Sequence, residues 1–519
     1  MRKLFLLCIV FFFCLSTRAQ ENISNKKLEL SKEQLKDKIK GGWAAQTIGV
    51  AFGWKPEFKY QGAFILDYKT LPWGDDYVNK AMTEFPGLYD DIYMDLTFLD
   101  VIEKKGLDAT ADDFGDALAA TDFPLWHANQ AARYNLQQGI PASQSGDWLN
   151  NPHADDIDFL IAADFIGLMS PGMSNTASNI SDRIGHILNS GDGWYGGVYI
   201  SNMYAIAFGS DNIPYIVNQA LKAIPQKSQF HQTISDVIRW HKKYPKDWKR
   251  TWFEIQRKWA EDVGCPSMVF DPLNIDAKLN AAYIVLGLLY GEGDFTKTLE
   301  ITARVGQDSD SNAAPAAGIL GTISGYGGIP SYWLDPLKKA EHRSFKSVNY
   351  SLEKTYRIGY NHALMNIREN GGEVTGNTVK IPFEDPKPVR YEQNFTDHFP
   401  QKEVPFSEPI KDIMNFGFEG VGFVLKGYVH KDENSTSNHT LKAALQIDGK
   451  RVETASFPTE TAERRLELFW RYQLQKGNHE VKIEILNPHP DYKLIPTSYI
   501  VYDNEPTSGI KKESELDGQ

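Results

Sequence analysis

One run constrains the fold of this chain more than any other: Gly41-Gly42-Trp43-Ala44-Ala45-Gln46-Thr47-Ile48-Gly49-Val50-Ala51-Phe52-Gly53. It follows a capping-box pair, Ser31 and Gln34, and the apolar residues Leu35, Ile39 and Trp43 at helical spacing, so it reads as the second half of a helix. Side chains this small leave the helix backbone bare, and such a helix is stable where another backbone approaches it closely. A buried central helix follows. A second small-residue segment, 313–321 with Pro315 near its start, reads as another tightly packed helix. Helical periodicity also marks the segments 112–121, 159–169, 198–208, 216–224, 230–244, 248–260, 274–289, 296–305, 332–341 and 352–370. The first 370 residues therefore predict an all-α domain.

The pattern changes after Gly371. A Gly- and Pro-bearing linker, 371–394, leads to a region where apolar residues alternate with polar ones, as Val481, Ile483 and Ile485 do with Lys482 and Glu484. Asp448-Gly449 sits between two strand-like runs as a hairpin turn. Short strands of this kind predict a β-sandwich or jelly roll. The expected layout is a leader over 1–19, an all-α domain over 20–375, a β-sandwich over 376–505 and a disordered tail over 506–519.

The leader is read from Arg2 and Lys3, the apolar run 4–15, and the small residues flanking Arg18 in Thr17-Arg18-Ala19, which place cleavage after Ala19. The apolar run is too short to span a membrane. Export to a periplasm or to the exterior is the expectation. Without residues 1–19 the chain keeps a single cysteine, Cys265, and so has no internal disulfide. It also carries 52 basic against 67 acidic residues, a net charge of −15. That balance argues against nucleic acid as the partner and leaves a small molecule or a glycan. Oligomeric state is not readable from the sequence.

The chemistry concentrates in two acidic helix starts. Gly306-Gln307-Asp308-Ser309-Asp310-Ser311-Asn312 delivers two carboxylates and a hydroxyl to the start of the second small-residue helix. Alone, such a motif is an ordinary helix cap. Asp90-Asp91 opens another helical run. Two acidic starts, far apart in sequence, are redundant as caps but suited to a dinuclear site of hard oxygen ligands for Mg²⁺, Ca²⁺ or Mn²⁺. Glu57 lies on a loop after the first helix, where it is either a solvated carboxylate or a cover for such a site. Asp164 falls inside an apolar run, which is costly unless it is paired or liganding. The run Leu125-Trp126-His127-Ala128-Asn129 is rich in Trp, His and Asn without a spacing that assigns it a role. Gly191-Asp192-Gly193-Trp194-Tyr195-Gly196-Gly197, preceded by His186, reads either as a loop approaching a sugar or phosphate or as a plain tight connection. Asn151, Asp164, His186, Trp194, Tyr195 and Gly196 are the candidate substrate contacts.

Over roughly residues 33–335 the first helix, the Asp90-Asp91 start and the Gly306-to-Ala314 turn with its glycine-rich helix resemble the ADP-ribosylglycohydrolase family in order and spacing. The resemblance implies an all-α fold around two Mg²⁺ ions, held by Asp90, Asp91, Asp308, Asp310 and Ser311. It implies hydrolysis of a glycosidic bond; the chemistry of such a site then points to Asp91 or Asp310 as the ligand that positions the nucleophilic water, and to Glu57 or Asp158 as acid or base. This chain departs from the family's pattern in two places. Tyr89 replaces the threonine of the T-D-D segment, and no N-G-[AS]-x-M-R-like segment is present. The expected substrates are an ADP-ribosyl group or a related glycoside. The alternatives are an exported glycan-degrading hydrolase without ADP-ribose activity and an inactive glycan-binding protein.

Overall fold

The computed structural model describes residues 27–84, 88–261, 264–406 and 408–507. The expected leader and all but the first two residues of the expected tail lie outside them. The first helix, Lys32–Gly53, begins at the anticipated capping box: Ser31 Oγ accepts from the Gln34 N–H at 3.0 Å, and Gln34 Oε1 accepts from the Ser31 N–H at 2.8 Å. From Gly41 onward every residue of this helix is buried. Its partner is the second small-residue helix, Ser309–Ser324, which runs antiparallel to it. At one end a Cβ on Gly41 would lie 2.2 Å from the Gly321 carbonyl oxygen; at the other, a Cβ on Gly53 would lie 2.3 Å from the Asp310 Cα. Only glycine allows this approach, and it brings the end of the first helix onto the start of the acidic one.

Further helices wrap this pair. Several parts of the chain differ from the periodic reading, and the helices Tyr77–Glu84, His127–Gln137 and Ser174–Leu188 lie outside its segments. The apolar run 159–169 is not one helix but two short ones, Asp158–Ile161 and Asp164–Leu168. The glycine and aromatic stretch expected as a loop is the first half of a fully buried helix, Gly191–Ala207. Its glycines accept neighbours: a Cβ on Gly193 would meet the Ala154 carbonyl and one on Gly197 the Phe159 ring. Small residues thus signal close packing here as they do in the first helix.

The domain is not purely helical. A three-stranded antiparallel sheet, in the order β1-β3-β2, joins β1 (Lys27–Ser31) to β2 (Glu373–Thr375) and β3 (Thr378–Pro382), with Leu28 opposite Ile381. The boundary expected at 375/376 therefore falls between two strands of one sheet. The expected linker continues as a strap bound to the helices. Glu384 Oε2 accepts the Asn175 and Thr176 N–H groups at 2.6 and 3.0 Å, capping the helix Ser174–Leu188. The Val389 N–H donates to Ala223 O at 2.9 Å, and the Tyr195 hydroxyl donates to Arg390 O at 3.0 Å.

The C-terminal domain consists of two four-stranded antiparallel sheets. One is ordered β5 (Ile413–Gly420), β10 (Gly477–Ile485), β7 (Leu441–Ile447), β8 (Lys450–Phe457). The other is ordered β4 (Phe399–Pro405), β11 (Tyr492–Asp503), β6 (Gly422–Lys431), β9 (Phe469–Arg471). Both contribute to one core, which includes Leu445 and Ile483 from the first and Leu425 and Leu494 from the second. The Asp448-Gly449 turn joins β7 to β8 with both residues at positive φ, 49° and 77°, as a tight type I′ hairpin requires. The helical core continues into this domain through Tyr472, Ile500 and Tyr502.

The strap yields a pH-dependent expectation. Burial pushes the Glu392 pKa up, but hydrogen bonding and charge from His186, the Gly191 N–H and Arg390 outweigh it and hold the group at about 2, against an ordinary 4.5. A depressed folded-state pKa stabilises the fold fully above the unfolded value and is lost as pH falls through the folded one. Glu392→Gln is expected to lower the melting temperature by several degrees at pH 7. The two proteins' melting curves are expected to converge as pH drops from 4.5 toward 2, as followed by circular dichroism.

Candidate active site

The packing of the two small-residue helices sets the floor of the site. Ser309 Oγ donates to Gly53 O at 2.8 Å, and the loop after the first helix is stitched to the acidic turn by Phe58 N–H to Gln307 O at 3.0 Å and Gln307 N–H to Tyr60 O at 2.9 Å. Glu57 therefore stands beside the acidic helix start, and one oxygen from each of Glu57, Asp308 and Asp310 lies within 4.8 Å of the others. The other acidic helix, Tyr89–Lys105, is fixed to the first by Gln46, whose Nε2 donates to Asp95 Oδ2 at 2.8 Å. That contact brings Asp90 and Asp91 to the same place.

A cavity of about 290 Å³ opens above them, lined by Glu57, Phe58, Asp90, Trp126, His127, Ile157, Asp158, Ile161, Ile275, Asp308 and Ser311. Asp91 and Asp310 lie beneath its acidic wall, almost fully buried. Backbone strain gathers here as well: Phe58, Leu88, His127 and Gln307, which border or feed the cavity, all hold positive φ between 44° and 55°. Non-glycine residues adopt this region at a cost that the surrounding packing must offset, typically where geometry matters to function.

The electrostatics follow from crowding carboxylates out of water. Burial, then Asp308 and Asp90, push Glu57 up to about 9. Burial and Asp308 raise Asp90 to about 7. Asp91 and Asp310 are driven well above the carboxylate range, first by burial and then by their acidic neighbours. Asp91 Oδ1, Asp308 Oδ1 and Asp310 Oδ1 are buried with no hydrogen-bond partner among the described residues. Unsatisfied anionic oxygens this close together are held at low cost only by protons or by cations. The donor set, all hard oxygen, fits Mg²⁺ or a similar divalent ion. The side chain of Tyr89, at the position of the family's threonine, lies outside the described structure.

Asp158 occupies a different wall. Its Oδ1 accepts the Asn129 N–H at 2.8 Å, its Oδ2 has no partner among the described residues, and burial, followed by Asp156, raises its pKa well above the usual range. The sequence did not assign a role to Trp126, half-exposed at 38 %, or to His127, Phe58, Ile157, Ile161 and Ile275, which complete the cavity. The Trp- and His-bearing run was visible, but its approach to the site depends on tertiary packing.

The expected substrate contacts do not line this cavity. Asn151 is fully buried, donating to Ala128 O and Leu188 O at 3.1 and 3.0 Å. Asp164 accepts from the Tyr204 hydroxyl, which offsets part of the cost of its burial; its Oδ2 has no partner among the described residues, and burial raises its pKa to about 7. His186 binds Glu392 of the strap at 3.1 Å, and Trp194 is enclosed, with His186 and Arg390 against its ring. Tyr195 holds the strap backbone, and Gly196 packs on Leu160. These residues anchor structure: the segment expected to be a loop is a buried helix.

A family model described as ADP-ribosylglycohydrolase matches residues 31–358. A search of curated proteins gives no match. Among solved structures, the chain resembles an ADP-ribosylglycohydrolase-related protein complex at 13 % identity and a TM-score of 0.44, covering 64 % of this chain and 99 % of the other. It also resembles a family GH115 4-O-methyl-alpha-glucuronidase with specificity for decorated arabinogalactans, at 11 % identity and a TM-score of 0.15, covering 64 % and 42 %. With well over half its length matched by the family model, this chain belongs to the ADP-ribosylglycohydrolase family, hydrolases that depend on metal and act on glycosidic bonds.

Proposed function

We propose that this protein is an exported hydrolase that cleaves a glycosidic bond at the acidic cavity, using two Mg²⁺ ions. The observation that carries the reading is the convergence of two acidic helix starts and Glu57 on one cavity with buried, unsatisfied oxygens. Asp90, Asp91, Asp308, Asp310 and Ser311 would hold the ions, with Glu57 beside them. When bound, such ions polarise water and sugar hydroxyls. The leader-like first 19 residues support export.

The chain's own residues supply the rest. Glu57 and the aspartates orient a water and the vicinal hydroxyls of the sugar, and the negative wall favours the positive charge that develops on the ring. Asp158, fixed at one oxygen by the Asn129 N–H, keeps a proton on the other and delivers it to the leaving group. Trp126 lines the cavity as well, and Ile157, Ile161 and Ile275 exclude water from the apolar side. At about 290 Å³ the cavity lies at the small end of ligand sites, which favours entry of one sugar ring with the remainder of the substrate outside.

The deciding experiment screens the mature protein against ADP-ribosyl substrates and aryl glycosides, with and without Mg²⁺. Release of ADP-ribose or of a sugar, abolished by EDTA and restored by Mg²⁺, is expected; turnover unaffected by EDTA would defeat the mechanism. In calorimetry, Asp308→Ala with Asp310→Ala is expected to abolish Mg²⁺ binding. Asp158→Asn is expected to keep Mg²⁺ binding and lower kcat by roughly 10²–10⁴-fold on substrates with poor leaving groups, with a smaller loss on activated aryl leaving groups.

A further inference from the structure

One wall of the cavity, at His127, belongs to a second cluster of ligand-type atoms that has no part in the proposed reaction. His127 heads the helix His127–Gln137, His153 and Asp156 come from the turn before Asp158–Ile161, and Cys265 comes from the segment before Ala277–Gly291. Cys265 is a free thiol with no exposure, and His153 and Asp156 have none either. His153 Nδ1 lies 3.0 Å from both Asp156 Oδ2 and Cys265 Sγ, Cys265 Sγ lies 3.1 Å from Asp156 Oδ2, and His127 Nδ1 lies 3.6 Å from the same oxygen. All four ligand atoms fall within 4.8 Å of one another.

Hydrogen bonding alone does not account for this arrangement. The far nitrogen of His153, Nε2, meets Glu467 Oε1 of the β-domain at 2.9 Å. With its proton donated there, the ring turns a lone pair on Nδ1 toward a carboxylate and a sulfur. A second proton on that ring would satisfy His153, yet His127 Nδ1, which faces Asp156 Oδ2 at 3.6 Å, remains buried and without a hydrogen-bond partner among the described residues. A tetrahedral ion with bonds of about 2.0–2.3 Å has ligand–ligand edges of roughly 3.3–3.8 Å; the 3.6 Å pair already meets this, and the 3.0–3.1 Å contacts need to open by a few tenths of an ångström. Two imidazoles, a carboxylate and a thiol form a mixed N, O and S set, which suits zinc and not the hard cations of the acidic cavity. A carboxylate on the outer nitrogen of a liganding histidine is the recurrent support for such a site.

We propose that His127, His153, Asp156 and Cys265 form a tetrahedral zinc site, oriented by Glu467 from the β-domain. The ion clasps three segments of the helical domain at this wall of the cavity and, through Glu467, couples them to the sandwich. It is closed by four protein ligands, so its role is structural: it fixes the wall that carries His127 and takes no chemical part in the proposed hydrolysis.

The test uses the full mature chain, stripped with a chelator and reloaded with Zn²⁺ or Co²⁺ alone. One equivalent of zinc surviving dialysis is expected. The Co²⁺ form is expected to show a thiolate charge-transfer band in the near ultraviolet and the intense visible bands of a tetrahedral ion. Cys265→Ser should remove the charge-transfer band, and Glu467→Gln, which leaves all four ligands in place, should weaken zinc binding about 10–100-fold. Asp308→Ala with Asp310→Ala should keep the zinc. Wild-type protein whose Co²⁺ form lacks the charge-transfer band overturns the site even if the variants fail to fold. So does zinc that is lost with Asp308 and Asp310 but retained without Cys265. Failure of Mg²⁺-dependent hydrolysis with zinc stoichiometry intact would count against the proposed function alone.

Discussion

Everything in the helical domain depends on two backbones touching. The helices Lys32–Gly53 and Ser309–Ser324 meet through glycine and alanine, so no side-chain layer separates them, and the Ser309 hydroxyl bonds directly to the last carbonyl of the first helix. Close packing of this kind forfeits area per residue but fixes relative position tightly, because a single added methyl meets main-chain atoms that have nowhere to move. The acidic helix start is thereby held against the loop that carries Glu57. The carboxylates repel one another and would spread apart in a softer scaffold. The rigid pair keeps them together at the expense of their hydration.

Much of this was legible in the chain. The small-residue runs announce close approach, the capping box at Ser31 and the Asp448-Gly449 turn give local geometry, and the two acidic starts meet at one cavity. The misreadings share one physical cause. In Gly191–Gly197 glycine was read as conformational freedom, as in a loop, when it was there to admit Phe159 and the Ala154 carbonyl. In 159–169 an apolar run was read as a continuous helix, because periodicity does not register a break at Ala162–Ala163 when both sides are buried. Trp126 and His127 enter the cavity through tertiary packing, and the carboxylate that binds His153 lies 314 residues away in another domain. No spacing rule reaches across that distance.

The two domains are joined by more than a linker. Gln130 Nε2 donates to Arg464 O at 2.7 Å, the Tyr134 hydroxyl to Ser456 O at 2.8 Å, and Trp470 Nε1 to Leu149 O at 2.9 Å. Trp148 packs among Phe395, His398 and Tyr472 with ring centroids 5.2–5.4 Å apart. These contacts flank the helix that carries His127 and the turn that carries His153. The sandwich therefore braces the cavity wall opposite the acidic helices, whether or not it also touches substrate.

The pairing of Leu28 with Ile381 has a consequence in time as well as in space. Among the described residues β1 pairs with β3 alone, and the helix Ser174–Leu188 receives its capping carboxylate from Glu384. Domains emerge from the ribosome N-terminus first, at about 5–20 residues per second. A nascent chain that has not yet reached the strap holds an unpaired strand edge and an uncapped helix, however complete its helices are. The helical domain is thus closed by residues made after its described helices. Its sheet and one of its helix caps are completed only by the segment that leads into the β-domain.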